Sequence, residues 1–166
     1  VLKTKYPLIA DALLKLKRRD KDKDKKLGLI ELVKDNGVYI GEGDYNIPQG
    51  RGCFYFTKDK KIWIGYFDNG EKGNYGKLYD KTGRMVYEGD YANGLRNGQG
   101  TYYYPDGEKY VGEFVDGLRE GNGCFYWNDG TSWEGEFKEN EMDGKGMYSD
   151  GTDSWHVTYD KGDIVE

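Results

Sequence analysis

The stretch YEGDYANGLRNGQGTYYYPDGEKYVGEF, residues 87–114, sets the reading of the whole chain. Tyr87, Gly89 and Tyr91 alternate with Glu88 and Asp90, and Gly98, Gly100, Tyr102 and Tyr104 share a second period of two. A period of two is the signature of a strand. Asn93-Gly94 lies between the two strings, and Asp106-Gly107 precedes the next, Tyr110-x-Gly112-x-Phe114. Asn-Gly and Asp-Gly between alternating runs are the strongest short-range hairpin signals, because both central residues of the tight turn need positive φ. The stretch therefore reads as one hairpin and the opening strand of another.

The pattern recurs on both sides. Tyr39-x-Gly41 opens it, followed by Trp63-x-Gly65-x-Phe67, Tyr87, Tyr110, Trp133-x-Gly135-x-Phe137 and Trp155-x-Val157-x-Tyr159. Successive lead aromatics are 24, 24, 23, 23 and 22 residues apart. A Gly-x-Gly-x-aromatic string follows in most units: Gly50 to Phe54, Gly98 to Tyr102, Gly121 to Phe125 and Gly144 to Tyr148. The second unit departs, with Asn74-Tyr-Gly76-Lys-Leu78. Asn69-Gly70 and Asp116-Gly117 supply further turns, and Asn140 takes that place in the fifth unit. One such hairpin is marginal alone, so the units must stack.

Composition agrees. Gly accounts for 26 of 166 residues and Tyr for 16, with only 3 Pro. Collagen needs Gly at every third position and abundant Pro, and disordered chains lack aromatics. No apolar run approaches the ~18–20 residues of a membrane-spanning helix, and no secretory leader is visible. The chain starts at Val1 rather than Met, which fits a processed product or a segment of a longer protein. Residues 1–26 carry ten Lys/Arg against four Asp, whereas the rest carries fifteen basic and twenty-six acidic side chains. An acidic body is a poor partner for nucleic acid or anionic lipid.

These repeated strings resemble the MORN (membrane occupation and recognition nexus) repeat, over residues 39–162. The resemblance implies a mainly β chain: a single elongated antiparallel β-meander of about five MORN hairpins, with a short N-terminal α-helix. Residues 1–26 are read as that helix and a charged linker, 27–38 as a half-repeat or cap, and 39–166 as the array with a C-terminal cap. Pro7 to Lys17 carries an apolar stripe of Leu8, Ile9, Ala12, Leu13 and Leu16, with Thr4 and Pro7 near its start. It suits either docking on the chain's own sheet or anchoring to a second chain. Lys17 to Lys26 alternates signs and reads as a solvated linker.

Alternation gives the expected sheet two faces, an aromatic concave side and an acidic convex side. A single sheet cannot bury its own face, so inner rings pack and their rims form a groove. The expected groove residues are Trp63, Phe67, Tyr87, Tyr91, Tyr102, Tyr104, Tyr110, Phe114, Phe125, Trp127, Trp133 and Phe137. The resemblance implies a non-catalytic scaffold or adaptor that seats a helix or extended segment of a protein partner within a larger assembly. It also implies an intracellular, cytoplasmic setting, cytoskeletal or ciliary. Two alternatives stay open. One is a membrane-proximal adaptor in which Lys17, Arg18, Arg19 and Lys21 contact lipid or a partner. The other is a regulatory segment of a larger enzyme. Open sheet edges also leave a homodimer open.

Catalytic and metal chemistry is not expected. His156 is the only histidine, and no Ser–His or Cys–His arrangement can be drawn. Cys53 and Cys124 occupy equivalent repeat positions three units apart, about 28 Å at ~4.7 Å per strand, too far for a disulfide. Zinc would need more Cys or His, the Asp-Gly turns lack a calcium loop, and no cofactor is implied.

Overall fold

The structure is a computed structural model that describes residues 7–165. Its thirteen strands follow in sequence order as an antiparallel meander, as the hairpin reading requires. They fall into two compact units, Val1–Met85 and Val86–Glu166. The first holds helix α1 (Pro7–Lys15), a 3₁₀ turn (Asp20–Asp22), and strands β1 (Gly28–Lys34), β2 (Gly37–Asp44), β3 (Ile47–Phe56), β4 (Lys61–Asp68) and β5 (Glu71–Tyr79). Strand β6 (Met85–Ala92) opens the second. It is followed by β7 (Leu95–Tyr103), β8 (Lys109–Val115), β9 (Leu118–Tyr126), β10 (Ser132–Lys138), β11 (Glu141–Ser149), β12 (Ser154–Asp160) and β13 (Asp163–Ile164).

The turns form as their chemistry dictates. Asn69, Asn93 and Asp116 have φ of 48°, 51° and 48°, each followed by a positive-φ glycine. In the fifth unit Glu139 and Asn140 take the two positive-φ places, at 48° and 74°. At the exit turns the aspartate ties the loop: Asp129 Oδ1 accepts Thr131 N–H at 2.9 Å and its hydroxyl at 2.6 Å. Those bonds hold the Asp129 carboxyl below the usual carboxylate range.

Simple alternation did not anticipate a repeated irregularity. Between Gly112↔Gly123 and Phe114↔Arg119 one residue of β8 faces three of β9. The same slip follows Gly41, Gly65 and Gly89. The acidic residue at this slip serves the backbone: Glu42 Oε2 accepts Arg51 N–H at 2.8 Å, and Asp90 Oδ2 accepts Gln99 N–H at 2.9 Å. A bulge leaves such N–H groups without a ladder partner, and the carboxylate replaces it.

Helix α1 docks on its own sheet, on the face opposite the rings. Leu13, 5% exposed, packs with Ile40, Cys53 and Ile64, flanked by Ile9, Ala12, Leu16, Val38, Ile62 and Tyr79. The reading of that face as acidic is corrected for the first unit, where Ile40 and Ile64 stand at the position that Glu88 and Glu134 hold later and Val111 holds between them. Thr4, expected at the helix start, lies outside the described residues, as does the side chain of Leu8.

The solvated-linker reading of Lys17–Lys26 is corrected at Arg18, Arg19 and Asp22, while Lys17, Asp20, Lys21 and residues 23–26 are exposed. Asp22 is fully buried, accepting from Arg19 at 2.7 Å and Gln49 at 3.0 Å. Arg18 reaches Glu42 at 3.0 Å, and Arg19 and Lys21 reach Asp68 at 2.9 and 3.0 Å. Tyr66 Oη donates to the Lys17 carbonyl at 2.7 Å, and its ring lies under the Arg19 guanidinium. The segment is thus a basic clasp on an acidic edge.

This clasp sets a pH dependence. Burial raises the Asp68 carboxyl, but hydrogen bonds from Arg19, Lys21 and Gln49 outweigh it and hold it down at about 2. Asp22 and Glu42 are likewise lowered: burial opposes this, but bonds from Gln49 and Arg19, and from Arg51, prevail. A depressed carboxylate stabilises above its unfolded value, about 3.9 for Asp, and that contribution is lost as pH falls through the folded one. The thermal midpoint is therefore expected to drop from pH 5 towards pH 2, and less steeply in Asp68→Asn. Equal slopes in calorimetry would contradict the clasp.

Candidate functional site: the aromatic face of residues 86–166

Tyr87, Tyr110 and Trp133 each lie across a pair of glycines. Gly112 and Gly123 are direct partners, and the Tyr110 ring covers both. A Cβ on Gly123 would stand 2.4 Å from that ring, closer than any packed carbon contact. Gly100 stands in the same relation to Tyr87, and Gly146 to Trp133. The ring's polar tip is satisfied: Tyr87 Oη donates to the Asp90 carbonyl and Tyr110 Oη to the Glu113 carbonyl, both at 2.8 Å. Trp133 Nε1 donates to the Val157 carbonyl at 3.3 Å. Burial pushes the Tyr110 hydroxyl well above its ordinary range, so it remains a neutral donor. The glycines therefore act as a floor that lets a sheet one layer thick bury large rings.

The buried rings interlock edge to face. Tyr110 meets Phe114 at 5.1 Å and Phe137 at 4.8 Å, and Trp133 meets Phe137 at 5.6 Å and Tyr159 at 5.1 Å. Such pairs contribute about 0.5–1.5 kcal/mol each beyond burial. Arginines lace the herringbone to the turns. Arg96 passes 4.9 Å from the Tyr102 centroid and 5.6 Å from Phe114, and donates to the Gly117 carbonyl at 2.9 Å. Arg119 repeats this with Phe137 at 5.5 Å and the Asn140 carbonyl.

A second row of rings lies beside the first. Tyr102, Tyr104, Phe125, Trp127, Tyr148 and Trp155 form an unbroken chain with centroid steps of 4.8, 5.6, 5.1, 6.0 and 4.8 Å. Apart from Phe125, at 8%, these rings are half-buried, and Trp155 is 46% exposed. Burial raises the Tyr104 hydroxyl, the largest of several influences. The expected groove residues thus divide. Trp63, Phe67, Tyr87, Tyr91, Tyr110, Phe114, Phe125, Trp133 and Phe137 are buried, each at most 8% exposed. Tyr102, Tyr104 and Trp127 present accessible ring surface. Tyr148 and Trp155 extend the row beyond the expected set, with Arg96 and Arg119 alongside; the repeat spacing was the signal for both rings.

In the first unit, by itself, the equivalent rings Phe54 and Phe56 lie 4.9 Å apart and are covered by Lys72, whose Nζ stands 4.7 and 5.0 Å from their centroids. Burial lowers the Lys72 pKa.

The protein-family model described as MORN repeat matches residues 87–109, 110–132 and 133–153 in succession. Residues 87–153 are three consecutive MORN repeats. Each MORN boundary falls on a lead aromatic, Tyr87, Tyr110 or Trp133, so the sequence unit is also the packing unit: one ring, its glycine floor and one hairpin. A search of curated proteins returned no match. Among the described residues no group of three His, Cys, Asp or Glu is placed to hold a metal ion, and no helix is long and apolar enough to cross a membrane. Cys53 and Cys124 are free thiols, and burial raises the Cys53 thiol to about 12.

Proposed function

We propose that the chain is a non-catalytic protein-binding scaffold whose MORN repeats seat an extended or helical segment of a protein partner along the half-buried ring row. The supporting observation is the row itself: six rings in continuous contact, with accessible faces at Tyr102, Tyr104, Trp127, Tyr148 and Trp155. Contiguous exposed aromatic surface on a rigid sheet is the composition of interface anchors. The mutual ring contacts, with Arg96 against Tyr102 and Arg119 against Phe125, hold the row in place before a partner arrives, which lowers the ordering cost of binding. The same geometry supports a subunit role within a larger assembly.

The lipid-adaptor alternative draws less support, because Arg18, Arg19 and Lys21 are engaged with Glu42, Asp22 and Asp68.

The test is affinity capture from native extract with the intact chain and with Tyr104→Ala/Trp127→Ala. Both side chains are half-buried, so a change in stability of no more than about 2 kcal/mol is expected, and calorimetry checks it. The expected result is loss of the captured protein with the double variant, in line with hot-spot costs of about 2 kcal/mol or more per anchor. An unchanged set of captured proteins would reject the ring row as the binding surface.

A further inference from the structure

The face of residues 86–166 opposite the rings repeats the pattern on which α1 sits in the first unit. There, Leu13 of α1 rests on Ile40 and Cys53, direct partners across β2 and β3, and the Arg18 side chain following the helix closes on Glu42. In the second unit Val111 and Cys124 are the same pair, partnered across β8 and β9. Glu113 stands where Glu42 stands, three residues after the lead aromatic. Among the described residues no helix of the unit covers this face as α1 covers Ile40: Val111 is 38%, Tyr126 39% and Met147 39% exposed, and only the Lys109 ammonium, 4.9 Å from the Tyr126 ring centroid, lies over that ring.

The electrostatics differ in one respect. Glu42 is neutralised twice, by Arg18 at 3.0 Å and by Arg51 at 2.8 Å. The positions equivalent to Arg51 are Gln99, Asn122 and Lys145, and among the described residues no Lys or Arg, Lys145 included, forms an ion pair with Asp90, Glu113 or Glu136. Residues 86–166 carry eighteen Asp/Glu against six Lys/Arg. Asp90, Glu113 and Glu136 lie on alternate strands β6, β8 and β10, so the row repeats about every 9.5 Å at ~4.8 Å per strand. A helix laid along it presents residues seven apart on one face, at about 10.5 Å, close to that repeat.

We propose that this face is a second docking surface, for a basic amphipathic helix of a partner protein. The helix sets its apolar side on Val111, Cys124, Tyr126 and Met147 and its Lys or Arg residues on Asp90, Glu113 and Glu136. The surface is independent of the ring row, so one chain joins two partner segments, one on each side of the sheet.

The probe is a fluorescent peptide of residues 7–21, the segment that fills the equivalent place in the first unit, titrated by anisotropy into the full chain at low salt. Binding should weaken at least tenfold in Val111→Ser/Met147→Ser and in Glu136→Lys, while Tyr104→Ala/Trp127→Ala binds as the unmodified chain does. Loss of binding only in the ring-row variant would overturn the proposal and leave the ring row as the single surface. No measurable binding would overturn it as well. So would binding untouched by any of these variants, which would mark exchange with α1 instead. Self-association of the unmodified chain, abolished by the same substitutions, would assign the face to a second copy and overturn the heterologous partner.

Discussion

Gly123→Ala is expected to destabilise the chain by about 3 kcal/mol, at the upper end of overpacking costs. The added methyl would stand 2.4 Å from the Tyr110 ring, which is 0% exposed and fixed by its hydroxyl bond to the Glu113 carbonyl at 2.8 Å. Neither neighbour can give way cheaply. Gly112 lies directly across on β8, and Tyr110 is wedged between Phe114 and Phe137. For a unit of this size the midpoint should fall by roughly 12 °C or more, at about 4–8 °C per kcal/mol. Calorimetry of Gly123→Ala, Tyr110→Leu and the double variant checks the cause. Tyr110→Leu should be costly alone, yet adding Gly123→Ala to it should cost far less than in the unmodified chain, a coupling of roughly 1–3 kcal/mol. Simple additivity would show that the glycine is needed for some other reason.

Leu13→Asp should release α1 and unmask Cys53. Leu13 is the helix's buried contact with Ile40, Cys53 and Ile64, and a buried unpaired carboxylate cannot remain there. The cost should be about 3–5 kcal/mol, comparable with truncating a large core side chain, and it falls on the first unit. A thiol readout isolates the effect. Cys53 is 0% exposed and its thiol is raised to about 12, so it should be inert to an aromatic disulfide reagent, whereas partly exposed Cys124 reacts. The unmodified chain should release one equivalent quickly and Leu13→Asp two. A single fast equivalent in both proteins would mean that Cys53 is shielded by something other than the helix.

Much of this fold was legible because one interval repeats. Glycine spacing fixed the strands, Asn-Gly and Asp-Gly fixed the turns, and parity placed Tyr87, Tyr110 and Trp133 on one face. The destination of α1 was not legible from its own stripe, which is equally apolar whatever covers it. The missed signal lay in the sheet: Ile40 and Ile64 occupy the position held by Glu88 and Glu134 later on. Asp22 was hidden for a different reason. A run such as KRRDKDKDKK reads as solvated until its partners are known, and Gln49 lies 27 residues from Asp22 and Asp68 lies 49 from Arg19 in sequence. The bulges escaped because strict alternation treats Gly98 and Gly121 as ordinary strand positions, whereas their φ values are 102° and 72°. The division between buried and accessible rings likewise depends on depth over the glycine floor. Tyr91 and Tyr102 look alike in the repeat, but only Tyr102 keeps an accessible face.

The most direct test of the scaffold reading is hydroxyl-radical footprinting of the chain alone and in complex with its captured partner. Binding along the ring row predicts protection of Tyr102, Tyr104, Trp127, Tyr148 and Trp155, with Tyr75, 43% exposed in the first unit, unchanged. Undiminished oxidation of those five rings in a saturated complex would contradict the account and move the binding surface elsewhere on the chain.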